Sequence, residues 1–191
     1  MRRAPLALAV GTALALASPG APAFERQHHV GVDAGLAMLA VAQRPNVQIG
    51  AGFLGHYAYS ITDWLTVGVE GGYAQTSLEE LANQVDENKK PIPNNRPTGV
   101  GSAGVGAFYV FDVLRWVPYL GIVGGPYFLT GGNLAAPRVE GGLAIALGLD
   151  YQLSRRFAVG LGARQHFVLS NVPTYPSYTQ IYLRFEVLFG W

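Results

Sequence analysis

The sequence predicts an all-β protein: an eight-stranded antiparallel up-and-down β-barrel that crosses a membrane and has a packed lumen. Three observations predict this class. Large apolar residues recur at every second position through eight segments of the chain. The positions between them hold mostly glycine, alanine and occasional charges, and the links between segments alternate between short and long. An apolar stripe suits lipid, whereas small residues and charges suit the narrow interior of a small barrel.

A targeting segment precedes the predicted barrel. Met1 to Arg3 is a positively charged start, residues 6–17 form an apolar run, and Ala21 to Ala23 places small residues where a signal peptidase cuts. This run is too short to span a bilayer as a helix, which takes about 20 apolar residues. The sequence therefore predicts a cleavable signal peptide over 1–23 and a barrel domain over 24–191.

Composition narrows the functional classes. Without Arg2 and Arg3 the chain has 11 basic side chains against 12 acidic ones, a net charge of −1. This balance excludes a strong electrostatic attraction to nucleic acid. The chain has no cysteine, which excludes a disulfide framework, a thiol nucleophile and a thiolate metal site. We expect no cofactor and no metal, because the histidines do not form a ligand pattern.

Eight segments alternate over a length sufficient to cross, since a tilted barrel strand needs about 9–11 residues. The predicted strands cover 28–42, 47–59, 64–76, 98–111, 116–129, 138–151, 157–170 and 181–191. The pattern does not fix which residues of the fourth and fifth strands face inward. Pro126 lies inside the fifth strand, where it removes a ladder hydrogen bond. We therefore expect a bulge near Gly124 and Gly125, or an earlier end to that strand.

Two other folds fit the chain less well. The uncharged segment 116–137 is long enough for a transmembrane helix, but it contains three prolines and five glycines. In a helix interior each proline costs about 3 kcal/mol and each glycine about 1 kcal/mol relative to alanine. A soluble ligand-binding barrel would have to expose a continuous Val/Leu/Ile/Phe surface or enclose a glycine-lined hollow.

The last strand ends on a wholly apolar face. That face consists of Ile181, Leu183, Phe185, Val187, Phe189 and Trp191. It resembles the C-terminal recognition strand of bacterial outer-membrane β-barrels, which the barrel-insertion machinery reads. In that family the last residue is most often Phe, whereas this chain has Trp. In strand number and length the chain after residue 23 resembles the small eight-stranded barrels typified by the transmembrane domain of outer-membrane protein A.

Link lengths and aromatic residues predict the orientation. The links at 60–63, 112–115 and 152–156 are tight, whereas those at 75–97, 130–137 and 171–178 are longer. Outer-membrane barrels have short periplasmic turns and longer external loops, so both termini are expected in the periplasm. An interfacial belt is expected at that end, formed by Tyr57, Tyr59, Trp64, Phe111, Trp116, Tyr151, Phe157 and Trp191.

Six charged residues share the inward parity. They are Asp33, Glu70, Glu140, Arg164, Arg184 and Glu186. Because strands 1 and 8 adjoin in a closed barrel, Asp33 should lie near Arg184 or Glu186. Buried charges must be paired, so we expect a lumen ion network that acts as a plug, since eight strands leave little room for an open pore.

A catalytic alternative rests on His166 and Ser170. Arg164 to Asn171 resembles the His-x-Ser-Asn motif of lipid A deacylases, which are small barrels with a serine hydrolase site. Here two extra residues separate the pair. Four positions along a strand span roughly 13 Å, whereas a nucleophile and its base need about 3 Å. The preferred interpretation places His166 in the lumen as a hydrogen-bonding residue.

Three functions remain open after this reading. The leading one is a structural or surface-interaction role through the external loops, mainly 75–97, whose partner the sequence does not identify. The alternatives are an outer-leaflet lipid-modifying enzyme and a narrow conduit for small hydrophobic molecules. The resemblance implies outer-membrane lipid and lipopolysaccharide as surroundings, and the insertion machinery as a partner during biogenesis.

Overall fold

The chain closes into one barrel of eight antiparallel strands in sequential order. A computed structural model describes residues 26–42, 47–76, 97–111, 115–132 and 134–190. The strands are β1 His28–Ala40, β2 Gln48–Ser60, β3 Leu65–Thr76, β4 Gly99–Val110, β5 Trp116–Thr130, β6 Arg138–Gln152, β7 Phe157–Phe167 and β8 Ser177–Phe189. In the part of the chain described, no helix has the length and apolar content to span a bilayer. The predicted signal peptide and Trp191 lie outside the described residues.

Strict alternation separates an outer and an inner surface. On β8 the exposed positions hold the apolar face predicted from sequence, with Leu183 69% exposed, while Tyr182 and Arg184 are buried in the lumen. The structure also assigns the facing of β5, where Leu120 and Ile122 point out and Tyr119 and Val123 point in. The closing pair places Asp33 of β1 opposite Arg184 of β8. Inward side chains from all strands therefore meet in one narrow lumen.

The first six strands begin and end within two residues of the prediction, whereas β7 and β8 differ more, and β8 begins at Ser177 instead of residue 181. β7 ends at Phe167, and a 3-10 turn over Leu169–Asn171 follows, so Ser170 does not continue the strand. β8 ends at Phe189 because Gly190 has a φ of 88°, which leaves the extended conformation.

The expected bulge at Pro126 does not form. The β4–β5 ladder skips the pairs 103–126 and 104–125, but its register is the same on both sides of that gap. On the other side of the strand, Pro126 pairs with Gly141 in an uninterrupted β5–β6 ladder. The missing N–H therefore affects only the β4 side, and the pairing of β5 with β6 continues as far as Leu129.

An inward-facing glycine allows β1 and β8 to approach each other closely. A Cβ built on Gly35 of β1 would lie 2.0 Å from the carbonyl oxygen of Ile181 on β8. Such an approach excludes any side chain at this position. By contrast, Gly141 of β6 faces outward, and a Cβ built there meets nothing within 4 Å.

Candidate functional site

Arg184 lies at the centre of an ion cluster at mid-height in the lumen. Its guanidinium donates two hydrogen bonds to the Asp33 carboxylate, from Nε at 3.0 Å and from Nη2 at 3.3 Å. The same group lies 3.6 Å from carboxylate oxygens of Asp150 and Glu186. Arg184 therefore contacts three carboxylates, and the pairing with Asp33 follows directly from the strand register.

Arg164 joins a second side of the lumen to the same cluster. Its guanidinium lies 3.2 Å from Asp33 and 3.0 Å from Glu70, and its side chain is fully buried. The plane of the Tyr182 ring lies below it, with 4.8 Å from the guanidinium carbon to the ring centroid. Asp33 therefore forms ion pairs with both arginines. Among the described residues, Glu70 forms an ion pair with Arg164 alone.

Three members of this lumen ion cluster were not predicted from the sequence. His56 Nε2 lies 2.7 Å from Glu186, and His29 Nδ1 lies 3.4 Å from the other oxygen of that carboxylate. Asp150 of β6 is the third. Each has the inward parity of its strand, so alternation was a sufficient signal for its facing. We refer to Asp33, Glu70, Asp150, Arg164, Arg184, Glu186, His29 and His56 as the lumen ion cluster.

Glu140 does not belong to the cluster, contrary to the expectation. It is the third residue of β6 and lies ten positions from Asp150, roughly 30 Å along an extended strand. Its carboxylate accepts hydrogen bonds from the Ser170 hydroxyl at 2.5 Å and from the Asn171 amide at 3.2 Å. Glu140 therefore fastens the turn after β7 at the long-loop end of the barrel.

The same contacts separate the two residues of the catalytic alternative. His166 is buried, with Nε2 donating to Gln180 at 3.3 Å and Nδ1 lying 2.9 Å from the Tyr127 hydroxyl. The Ser170 hydroxyl is bonded to Glu140 and to the backbone N–H of Gly141, at 2.9 Å. No hydrogen bond among the described residues joins His166 to Ser170, so the geometry does not bring a base to the hydroxyl.

An apolar plug fills the lumen on the long-loop side of the cluster. It contains Leu39, Val100, Tyr127, Leu129, Tyr175 and Tyr178, each no more than 4% exposed. The His166 ring stacks on Tyr178 with 4.5 Å between centroids. Tyr175 reaches the plug from the link before β8, and burial raises the pKa of its phenol. The plug and the ion cluster together close this half of the lumen.

The other half of the lumen contains a cavity. It extends from the ion cluster to the last inward residues of the strands at the short-turn end, among them Val117, Gln152 and Leu188. The cavity has a volume of about 60 Å³, which is enough for about four water molecules. The lumen is therefore asymmetric, with an apolar plug at one end and a partly charged cavity at the other.

The predicted aromatic belt lies at the short-turn end. Trp64, Phe111, Trp116 and Phe157 are exposed there, whereas Tyr59 and Tyr151 are half-buried. The rings contact their neighbours around the barrel, as shown by centroid separations of 4.7 Å for Trp116–Tyr151 and 5.7 Å for Trp64–Tyr109.

Two further residues, not predicted from sequence, complete this belt. Tyr109 packs edge-on against Phe111 at 4.7 Å, and His28 stacks on Phe189 at 5.3 Å. His28 Nδ1 also lies 2.8 Å from the hydroxyl of Tyr57. The row of aromatic rings therefore runs across the seam between β1 and β8.

The strand ends that carry the 75–97 loop are fixed side by side. Thr76 N–H donates to the Thr98 carbonyl at 2.8 Å, and Thr98 N–H donates to the Thr130 carbonyl at 3.0 Å. The Thr76 hydroxyl also donates to the carbonyl of the buried Pro97, at 3.2 Å. The loop residues 77–96 themselves lie outside the described part of the chain.

The described residues contain no group of three or more His, Asp or Glu side chains arranged to hold a metal ion. The candidate site thus consists of the apolar plug, the lumen ion cluster with the cavity beside it, and the hydrogen-bonded ends of the 75–97 loop.

Comparisons with known proteins agree with this architecture. Neisserial surface protein A matches with 17% identity and a TM-score of 0.63, covering 85% of this chain and 97% of its own. The N-terminal β-barrel domain of Pseudomonas aeruginosa OprF matches with 14% identity and a TM-score of 0.58, covering 86% and 98%. Ail, the attachment invasion locus protein of Yersinia pestis, matches with 16% identity and a TM-score of 0.50, covering 86% and 99%. Likenesses of this order show the fold.

No curated protein matches the sequence at a significant level. The sequence model of the outer membrane protein beta-barrel domain matches residues 7–189, almost the whole chain. The chain therefore belongs to the outer membrane protein beta-barrel domain family, and its place is the bacterial outer membrane.

Proposed function

We propose that this barrel is an outer-membrane scaffold that acts at the cell surface through its external loops, chiefly the 75–97 loop. The observation that carries the proposal is the closed lumen. The apolar plug and the lumen ion cluster fill the half of the barrel nearest the long loops. A barrel closed in this way offers partners its rim rather than a passage, and binding residues on rigid scaffolds concentrate in such loops.

The pinned loop ends add support. Hydrogen bonds at Thr76, Thr98 and Thr130 complete the sheet up to the point where the 75–97 loop begins. A loop held at both ends loses less conformational entropy on binding than one on frayed ends. The orientation belongs to the proposal: the belt end and both termini lie in the periplasm, and the long loops lie outside.

The names of two structural neighbours point the same way. One is called a surface protein and the other an attachment and invasion protein. At their level of identity they show only the fold. Their names are consistent with the proposal that a small barrel of this kind acts at the cell surface.

A loop-replacement experiment tests the proposal. Residues 79–95 are replaced by a short Gly-Ser link, and the matched control shortens the link 131–137 in the same way. Cells that display each barrel are assayed for adhesion to immobilised extracellular-matrix proteins and to lipopolysaccharide vesicles. We expect adhesion to at least one surface to be lost only with the 79–95 replacement. Equal adhesion by all three barrels, including none at all, would refute a loop-based role.

Trypsin on intact cells tests the orientation separately. Cleavage after Lys89 is expected in cells that display the intact barrel, because the 75–97 loop lies outside. Protection of that bond in intact cells, with cleavage after lysis, would place the loop in the periplasm.

One observation favours a second candidate, a conduit for small hydrophobic molecules that leave through the wall. The β4–β5 ladder is interrupted opposite Pro126. The chain has no native cysteine, so a Val105→Cys/Gly124→Cys pair, which leaves Pro126 in place, would join β4 to β5 beside that gap with a unique disulfide. Uptake of a small hydrophobic dye into vesicles should fall on oxidation if the gap is a path. An unchanged rate, or no uptake above protein-free vesicles, would remove this candidate.

A further inference from the structure

We propose that the lumen cavity is a binding site for a short primary alkylammonium ion, which enters from the short-turn end. This function is separate from that of the external loops. The cavity, the charge of its floor, an unpartnered carboxylate oxygen and the apolar character of its wall all contribute to the assignment.

The floor of the cavity contains more carboxylates than guanidiniums. The lumen ion cluster brings four carboxylates, Asp33, Glu70, Asp150 and Glu186, against two guanidiniums. The two imidazoles, His29 and His56, both contact Glu186. The carboxylates of the cluster therefore outnumber its guanidiniums by two, and the imidazoles are its other nitrogen groups. Uncompensated charge in a buried site is costly, and a bound cation removes part of that cost.

Asp150 offers the free acceptor. It is 7% exposed and lines the cavity. One oxygen lies 3.6 Å from Arg184, whereas Oδ1 has no hydrogen-bond partner in the structure. Oδ1 lies over Gly160 of β7, in the space that a side chain there would occupy. A buried acceptor without a donor is an expected position for an N–H group of a ligand.

The wall of the cavity suits a short alkyl chain. Above the charged floor much of the lining is apolar, with Ala58 of β2, Val117 and Val123 of β5 and Leu188 of β8 among its residues. The free space of about 60 Å³ corresponds to about four waters. A propylammonium ion has a similar number of non-hydrogen atoms, with an ammonium head for Asp150 and Glu186 and a tail for the apolar wall.

Access is open from one side only. Tyr127, Tyr178 and the rest of the apolar plug close the long-loop side of the cluster. At the short-turn end, Phe108 and Val110 line the cavity and are partly exposed although they point inward. Among the described residues, no three of the His, Asp and Glu side chains are arranged so that they could hold a metal ion. The site thus fits a hydrogen-bonding organic cation and not a directly coordinated metal ion.

The test is a titration of the folded barrel in detergent micelles, followed by the backbone amide NMR signals of Asp150 and Gly160. Propylammonium chloride is added at constant ionic strength. We expect saturable shifts of these signals. Propan-1-ol has the same size without the charge, and tetrapropylammonium has the charge but exceeds the cavity. Neither should produce saturable shifts.

Two variants complete the test. Asp150→Asn should weaken propylammonium binding by about tenfold or more, because it replaces a charged acceptor by a neutral amide oxygen, which bonds an ammonium group less strongly. Glu140→Gln, on the same strand and with the same facing but outside the cluster, should bind as the wild type does. If Asp150→Asn does not fold, Val117→Phe, which fills the cavity, should abolish the saturable shift instead.

Three results would overturn the proposal. They are the absence of a saturable shift in the wild type, equal saturation by propan-1-ol, and unchanged affinity in the Asp150 variant or, where that variant is unfolded, in the Val117 variant. Any of these would mean that the cavity is not a site for a primary alkylammonium ion.

Discussion

Replacement of Arg164 by methionine tests whether the lumen ion cluster holds the barrel together. The variant retains much of the side-chain volume but removes the guanidinium that lies 3.0 Å from Glu70 and 3.2 Å from Asp33. Asp33 keeps its two hydrogen bonds from Arg184. Glu70 loses its ion-pair partner while its side chain stays 8% exposed. Removing one partner of a buried pair costs about 3–5 kcal/mol, so we expect a loss of that size.

The double variant Arg164→Met/Glu70→Met shows where that loss arises. Replacement of a whole buried pair by apolar residues is often neutral, so the double variant should recover most of the stability lost by Arg164→Met alone. The measurement is urea unfolding of the barrel in lipid vesicles, followed by tryptophan fluorescence. Arg155→Met, in an exposed turn, is the matched control and should change the free energy of unfolding by no more than about 0.5 kcal/mol.

Two results would contradict this prediction. One is a loss of less than about 1 kcal/mol in the free energy of unfolding for Arg164→Met, and the other is a further loss when Glu70→Met is added to it. Either result would mean that water already solvates Glu70, and that the cluster does not determine stability.

Three further predictions concern the wall, the plug and the enzyme alternative. Gly35→Ala should cost several kcal/mol or prevent folding, because its Cβ would lie 2.0 Å from the Ile181 carbonyl oxygen. Gly141→Ala should be close to neutral in the same unfolding assay, since a Cβ there meets nothing within 4 Å. Tyr127→Phe should lower the free energy of unfolding by about 1 kcal/mol, because it removes the hydrogen bond to His166 at 2.9 Å. Tyr109→Phe, on the outer surface, is its control, and equal effects of the two would argue against the buried bond. Ser170→Ala should leave the acylation of lipid A unchanged by mass spectrometry relative to the wild type, because its hydroxyl is bonded to Glu140. A serine-dependent loss of acyl chains would revive the enzyme alternative.

The facing of side chains could be predicted from sequence because the period of a strand is two. Asp33, Arg164 and Arg184 point inward as their parity requires. The position of each side chain along the barrel axis was harder to predict. It depends on the stagger between neighbouring strands, and the alternation of residues along one strand carries no information about that stagger. Glu140 has the right parity but lies at the long-loop end, and Asp150 on the same strand takes a place in the cluster instead.

Pro126 shows another limit of the sequence. A proline in a closed barrel must leave one acceptor without its ladder partner, and the prediction placed a bulge there. The lost ladder bond can be the one to either neighbouring strand, because this depends on the side to which the backbone nitrogen of residue 126 points. The interruption falls on the β4 side, and the continuous β6 ladder keeps the strand straight. The apolar plug was missed for a related reason, since it brings together Leu39, Tyr127 and Tyr178 from strands far apart in the chain.

The hydrogen bonds that join Thr76, Thr98 and Thr130 also separate two parts of the protein that can change at different rates. They pair the ends of β3, β4 and β5 with one another next to the point where the 75–97 loop joins the barrel. We therefore expect substitutions or insertions within residues 79–95 to leave the register of these strands and the packing of the lumen unchanged. The sequence of the loop can then change while the barrel that carries it stays as it is.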